Sequence, residues 1–149
     1  MPDKLKVMFL CTGNACRSQM AEGWARHLHG GVFDAYSAGV EPHGVNRLAV
    51  AAMAEAGVDI AGQRSKHVDE LRGVPLDYVF TVCGHANETC PAWLGTNAKV
   101  IHVGFDDPPK LARDAGATTD EASLPHYRRV RDQIRAWVAG LPAQLAARP

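Results

Sequence analysis

The sequence predicts a single-domain α/β protein, a three-layer sandwich around a central four-stranded parallel sheet. Short apolar runs rich in β-branched and aromatic residues alternate with stretches of helical periodicity, the pattern of strands joined by right-handed crossovers. At 149 residues the chain has the length of one domain and enough residues for a real core, so 1–149 is read as one unit without linker or repeat. Three of the expected strands also run straight into polar loops bearing cysteine or aspartate. In parallel sheets ligands bind beyond the carboxyl ends of the strands, so these loops are expected on one edge.

The elements follow in order. Residues 4–10 read as a buried strand, and a helix runs from Ser18 to about Leu28, with Met20, Trp24 and Leu28 as its core stripe. Gly30 and Gly31 close it, and His27 and His29 are expected on the surface at that end. Residues 32–38 form a second strand. Asn46 caps a helix to about Ala56 whose Leu48, Ala49, Ala52 and Met53 face inward. A polar connector, 58–67, leads to a short helix at 68–71. Residues 76–82 and 99–103 are the third and fourth strands. Residues 110–123 read as a loop or irregular helix, and Leu124 or Pro125 opens the last helix, which runs to about Ala139. Residues 143–149 are expected to fray.

Charge narrows the function. Lys plus Arg and Asp plus Glu each number 16, so the chain offers no global attraction to nucleic acid or anionic membrane. No apolar run approaches the roughly 18 residues of a spanning helix, and the first strand is too short for a signal peptide. A cytoplasmic location is expected. Thiols there stay reduced, so four cysteines point to chemistry or metal rather than a disulfide scaffold.

The most informative stretch is Cys11-Thr12-Gly13-Asn14-Ala15-Cys16-Arg17-Ser18, a strand-to-helix turn. Gly13 lets the backbone curl and Asn14 tolerates unusual dihedrals. Successive N–H groups beside a helix N-terminus form a nest for a tetrahedral oxyanion and favour thiolate at Cys11. Arg17 supplies a planar fork for two oxyanion oxygens, and Ser18 can donate to the thiolate. The alternative is a structural cysteine at a strand end with Arg17 on the surface; the flanking strand, the Gly-Asn pair and Ser18 weigh against it. Cys16 is assigned to packing.

Cys83 and Cys90 follow the third strand and read as a redox pair. In a regular helix they would lie about 10 Å apart, beyond the roughly 7 Å that a disulfide tolerates, so a working pair implies a segment that changes shape. Two alternatives compete: Cys83 as a small core residue at a strand end with Cys90 a chance surface cysteine, and a zinc site from Cys83, His85 and Cys90, which lacks the usual spacing and a fourth ligand. Asp107, before Pro108, sits where a general acid would, with Asp106 as its neighbouring competitor.

Residues 11–23 resemble the phosphate-binding loop of thioredoxin-coupled arsenate reductases, which share the low-molecular-weight protein tyrosine phosphatase fold. The likeness continues in Tyr36-Ser37-Ala38-Gly39, His43-Gly44-Val45-Asn46, Thr81-Val82-Cys83, Cys90-Pro91, Gly104-Phe105-Asp106-Asp107-Pro108 and the stretch Tyr127-Arg128-Arg129-Val130-Arg131-Asp132. The resemblance implies arsenate as substrate, held by the backbone of Thr12, Gly13, Asn14, Ala15 and Cys16 and by Arg17. It implies attack by Cys11 with Asp107 as acid, a transient Cys11–Cys83 disulfide, transfer to Cys83–Cys90, and reduction by thioredoxin. It implies no cofactor and a monomer.

Relatives of this kind can bind potassium near the loop, at positions matching Asn14, Glu22 and Ser37 and a Thr-x-Asp pair in the connector. Here the connector reads Arg64-Ser65-Lys66, so Lys66 is expected to fill the cation position and pair with Glu22, with no metal bound. Two rivals remain. A low-molecular-weight tyrosine phosphatase would need only Cys11, Arg17 and Asp107. Such enzymes usually carry Pro where Gln19 stands and an aromatic pair where Pro109-Lys110 stand, which favours the reductase; weak phosphatase activity is still expected. A non-catalytic metal or redox module would use Cys83, His85 and Cys90.

Overall fold

The computed structural model describes residues 4–147 apart from 85–87. Its sheet has four parallel strands, β1 (Leu5–Cys11), β2 (Phe33–Gly39), β3 (Tyr78–Thr81) and β4 (Lys99–His102), in the order β2-β1-β3-β4. The order reverses at β1, the switch point where such sheets open a crevice. Val7 and Phe9 point to one face of β1 and Met8 and Leu10 to the other, and all four are fully buried. Both faces of the sheet are therefore covered at β1, which accounts for its unbroken apolar run.

Helix α1 (Arg17–His29) follows β1 and packs on β1 and β2. Met20 and Trp24 are buried as the periodicity predicts, with Leu28 at the edge of the core. His29 is a correction: it is half-buried, stacks edge-on against Phe33, and holds the Val138 carbonyl at 3.0 Å. Helix α2 (Arg47–Glu55) starts where expected, because the Asn46 carboxamide oxygen accepts the N–H groups of Leu48 and Ala49. The short helix at Val68–Leu71 is a 3-10 turn, and a four-residue helix α3 (Leu94–Asn97) precedes β4.

The C-terminal third departs most from expectation. Helix α4 (Pro108–Asp114) forms on the strength of Pro108 and Pro109 in its first turn, where proline lacks no needed hydrogen bond. Helix α5 (Asp120–Ala139) opens before Pro125, with Thr119 Oγ1 accepting Ala122 N–H at 3.1 Å. Pro125 lies inside it and is tolerated because Pro125 and Glu121 both face solvent, where water serves the carbonyl deprived of its donor. The expected frayed tail folds as α6 (Leu141–Ala146), anchored by buried Leu141 and Leu145.

The α5 helix ties the molecule together. It packs on α1, α2 and α4, buries Tyr127, Val130, Ile134 and Val138, and sets Trp137 edge-on against Phe9 and Phe80. Among the described residues no helix is long and apolar enough to cross a membrane.

Candidate active site

The turn between β1 and α1 forms the floor of a cavity of about 550 Å³, and its shape follows from where its carbonyls go. Those of Cys11, Thr12, Gly13, Ala15 and Cys16 accept the N–H groups of Val40 (3.3 Å), Glu41 (2.8 Å), His43 (2.9 Å), Asn46 (2.8 Å) and Met20 (2.9 Å). The Asn14 carbonyl accepts the Gln19 carboxamide at 3.0 Å. All six carbonyls are thus tied to structure outside the turn. None of the N–H groups of residues 12–17 donates to a protein acceptor among the described residues, and together they make an anion cradle at the α1 N-terminus.

Two details let the backbone lie so close. A methyl on Gly39 would stand 2.6 Å from the Thr12 carbonyl oxygen and 2.9 Å from Asn14 N, so the end of β2 must be glycine. Asn14 adopts φ 47°, the left-handed conformation the sequence suggested for this residue type. Gly13 has no positive φ; a methyl there would stand 2.6 Å from the exposed His43 ring, which would have to shift.

Around the cradle the side chains divide by role. Cys11 is buried at 3% exposure and its Sγ lies 2.9 Å from Ser18 Oγ. Ser18 Oγ also accepts Asn14 Nδ2 at 2.9 Å, which leaves its own hydrogen for the sulfur. Thr12, Gly13, Ala15, Cys16 and Arg17 line the cavity, whereas the Asn14 side chain braces the turn from behind, accepting Lys66 N–H at 2.9 Å. Arg17 spends one arm on the Phe105 carbonyl at 2.9 Å, while its Nη2 lies 3.7 Å from Asp107 Oδ1. Burial pushes the Cys16 thiol well above its ordinary value, with the charges of Asp107 and Cys11 adding and Arg17 opposing. Cys16 therefore remains a neutral packing group.

Geometry separates the two aspartates. Asp107 lines the cavity, caps no N–H of α4 with its side chain, and faces Arg17. Asp106 is exposed and turned to Arg129 at 3.1 Å.

The remaining thiols follow β3. Cys83 is buried, and its Sγ lies 3.3 Å from Thr12 Oγ1, so a second thiol meets the cradle at the residue after Cys11. Cys90 is half-buried at the edge of the core, its Sγ lies 3.9 Å from the Pro91 carbonyl oxygen, and its thiol is pushed up by burial. No disulfide joins the four cysteines. His85, and with it the middle of the expected redox segment, lies outside the described residues; among those described, no group of three His, Cys, Asp or Glu side chains could hold a metal.

The expected Lys66–Glu22 pair is corrected. Lys66 Nζ donates to the Arg64 carbonyl at 2.9 Å. Glu22, only 2% exposed, is instead paired by Arg26 Nη1 at 2.9 Å and accepts Ser37 Oγ at 2.7 Å. Burial lowers the Lys66 pKa, with Glu22 opposing at longer range. A carboxylate already matched by a guanidinium, with an ammonium nearby, does not fit a bound potassium ion.

Sequence reasoning missed several supports: Gln19, His43, Asn46, Phe105 and the contacts between the 40–46 segment and the cradle. Their signals were faint, since each acts through a backbone group or a buried amide.

Comparison with known proteins finds relatives over nearly the whole chain. The profile of the family described as low molecular weight phosphotyrosine protein phosphatase matches residues 6–148. A protein named arsenate reductase from Halalkalibacterium halodurans is 49% identical over 132 residues, covering 89% of this chain and 91% of the relative. A solved structure described as an arsenate reductase in the phosphate binding state is 34% identical, with a TM-score of 0.76, over 94% of this chain and 98% of that one. Another, described as an arsenate reductase in oxidized state, has 33% identity and a TM-score of 0.74, over 94% of this chain and 98% of that one. With the profile matched over residues 6–148 and a relative 49% identical across most of both chains, the chain belongs to the low molecular weight phosphotyrosine protein phosphatase family.

Proposed function

We propose that this protein reduces arsenate to arsenite by a relay of three thiols, Cys11, Cys83 and Cys90, in the cytoplasm, acting as a monomer with thioredoxin as the electron donor. The observation that carries the reading is the Cys83 thiol beside Thr12, bordering an oxyanion cradle that already contains Cys11. Hydrolysis needs one thiol there. Reduction needs a second that can attack the first. The relatives named arsenate reductase support the same conclusion.

Arsenate, a tetrahedral oxyanion, is held by the cradle N–H groups and Arg17. The Cys11 thiolate attacks arsenic, an As–O bond breaks, and Asp107 gives the departing oxygen its proton, so it leaves as water. Cys83 then attacks the Cys11 sulfur. The As–S bond breaks, its electron pair stays on arsenic, and arsenite departs. Arsenic has gained two electrons and two thiols have become the Cys11–Cys83 disulfide. Cys90 attacks Cys83, releasing Cys11 as thiolate and leaving Cys83–Cys90. A donor dithiol takes over the oxidation and restores both thiols. Thr12 Oγ1, 3.3 Å from the Cys83 sulfur, can donate to its thiolate at the moment of attack.

The Cys83→Ser variant tests the assignment. Arsenate turnover should be lost while hydrolysis of an aryl phosphate, which needs only Cys11, Arg17 and Asp107, continues. Arsenate reduction at the wild-type rate would overturn the relay.

A further inference from the structure

Gln19 is fully buried one residue beyond the cradle, in the first turn of α1. Its carboxamide is oriented without ambiguity, because its nitrogen faces two carbonyl oxygens, those of Asn14 at 3.0 Å and Arg64 at 3.2 Å. Its Oε1 accepts Gln63 Nε2 at 2.8 Å, and that same nitrogen donates to the Gln19 carbonyl at 3.0 Å. The amide thus joins the connector, through Gln63 and Arg64, to one atom of the cradle, the Asn14 carbonyl.

That atom is the one a left-handed residue needs held. Asn14 is the only non-glycine residue with positive φ among those described, and of the six carbonyls its own is the one to which no backbone N–H of the described residues donates. Without a donor it would be a buried, unsatisfied acceptor, and the Asn14–Ala15 peptide could rotate to expose it. Such a rotation turns the Ala15 N–H out of the cradle and brings a carbonyl toward the anion. Asn14 is also the brace of Ser18, which meets Cys11. One residue, Asn14, therefore carries both a peptide of the cradle, held by Gln19, and the amide that donates to the hydroxyl beside the nucleophile.

We propose that Gln19, seated by Gln63, is a positioning residue for the reaction: its carboxamide fixes the Asn14–Ala15 peptide so that the turn presents N–H groups to the oxyanion. Gln19 touches neither substrate nor sulfur; it acts through the peptide. The inference rests on Cys11 being the nucleophile of the proposed reaction, and the test below separates the two.

The probes are inorganic phosphate, which shares the shape and charge of arsenate, and a pair of alkylating agents, anionic iodoacetate and neutral iodoacetamide. Modification is read at the Cys11 peptide by mass spectrometry. Wild-type protein protected at Cys11 by phosphate establishes the nucleophile and its cradle; absence of protection would sink the underlying reading, whatever Gln19 does. Gln19→Met keeps the length of the side chain and removes its hydrogen bonds. It should raise the phosphate dissociation constant and the arsenate KM by about ten- to a hundredfold, the scale of a misplaced binding group. It should also lower the ratio of iodoacetate to iodoacetamide rates at Cys11. Gln63→Met, at a half-buried position and one bond further out, should move the same readouts in the same direction by less, and it remains informative if Gln19→Met fails to fold. A purely structural role would lower the melting temperature and leave the reagent ratio and phosphate affinity alone. That outcome, in whichever of the two variants folds, overturns the proposal.

Discussion

The two ends of the proposed thiol relay are built in opposite ways. Cys11 sits in a turn whose six carbonyls are all tied to neighbouring structure, with its sulfur against Ser18. Cys90 is half-buried at the edge of the core, its sulfur 3.9 Å from the carbonyl oxygen of the next residue. The difference matches the two tasks. A cradle for a tetrahedral oxyanion gains by being set before the substrate arrives, since reorganisation at the moment of reaction is avoided. A thiol that must hand a disulfide to another protein has to be reachable. Cys83 stands between them, buried like the first and linked to the cradle through Thr12.

That contrast can be broken at several points. The largest effect is expected at the fixed end. Cys11→Ser should abolish arsenate reduction and phosphate ester hydrolysis together, by about 10⁴-fold or more, as removal of a nucleophile does elsewhere; retention of either activity would place the nucleophile at another residue. Next comes the acid. Asp107→Asn should slow aryl phosphate hydrolysis by about 10²- to 10⁴-fold. Asp106→Asn removes only an exposed ion pair with Arg129, worth about 0–1 kcal/mol, and should leave that rate within about twofold of wild type. Equal losses in the two variants would remove the distinction drawn from the cavity. The smallest effect concerns the support behind the cradle. Because Arg26 already answers the Glu22 charge, exchanging potassium for sodium at constant ionic strength should change arsenate kcat/KM by less than about twofold. A clear activation by potassium would show that the Glu22–Arg26 pair yields to the ion.

Much of this was legible in the chain. The strands announced themselves because a sheet covered on both sides demands unbroken apolar runs, as in Val7-Met8-Phe9-Leu10. The cradle was legible because its chemistry needs a cysteine, a glycine, an asparagine and an arginine at fixed spacing. The last third was harder. Pro125 reads as a boundary, yet only burial decides whether a missing N–H matters, and there the helix faces water. Leu141 and Leu145 look like part of a short tail until the core that receives them is known. The Lys66 expectation failed for a related reason. Position in sequence suggested which cation would meet Glu22, but Arg26, one turn along the same helix, reaches it first. Asp106 and Asp107 could not be told apart by type; the side chains diverge because one faces Arg17 and the other Arg129.

The central claim is that electrons reach arsenic from Cys11 and Cys83 and come to rest as a Cys83–Cys90 disulfide. The direct measurement is a single turnover of reduced protein with arsenate and no added reductant, followed by acid quench, arsenite assay and disulfide mapping by mass spectrometry. The account predicts one arsenite per protein chain and a peptide pair linking Cys83 to Cys90, replaced by a Cys11–Cys83 pair in the Cys90→Ser variant. Arsenite formed with Cys83 and Cys90 both still reduced would contradict it.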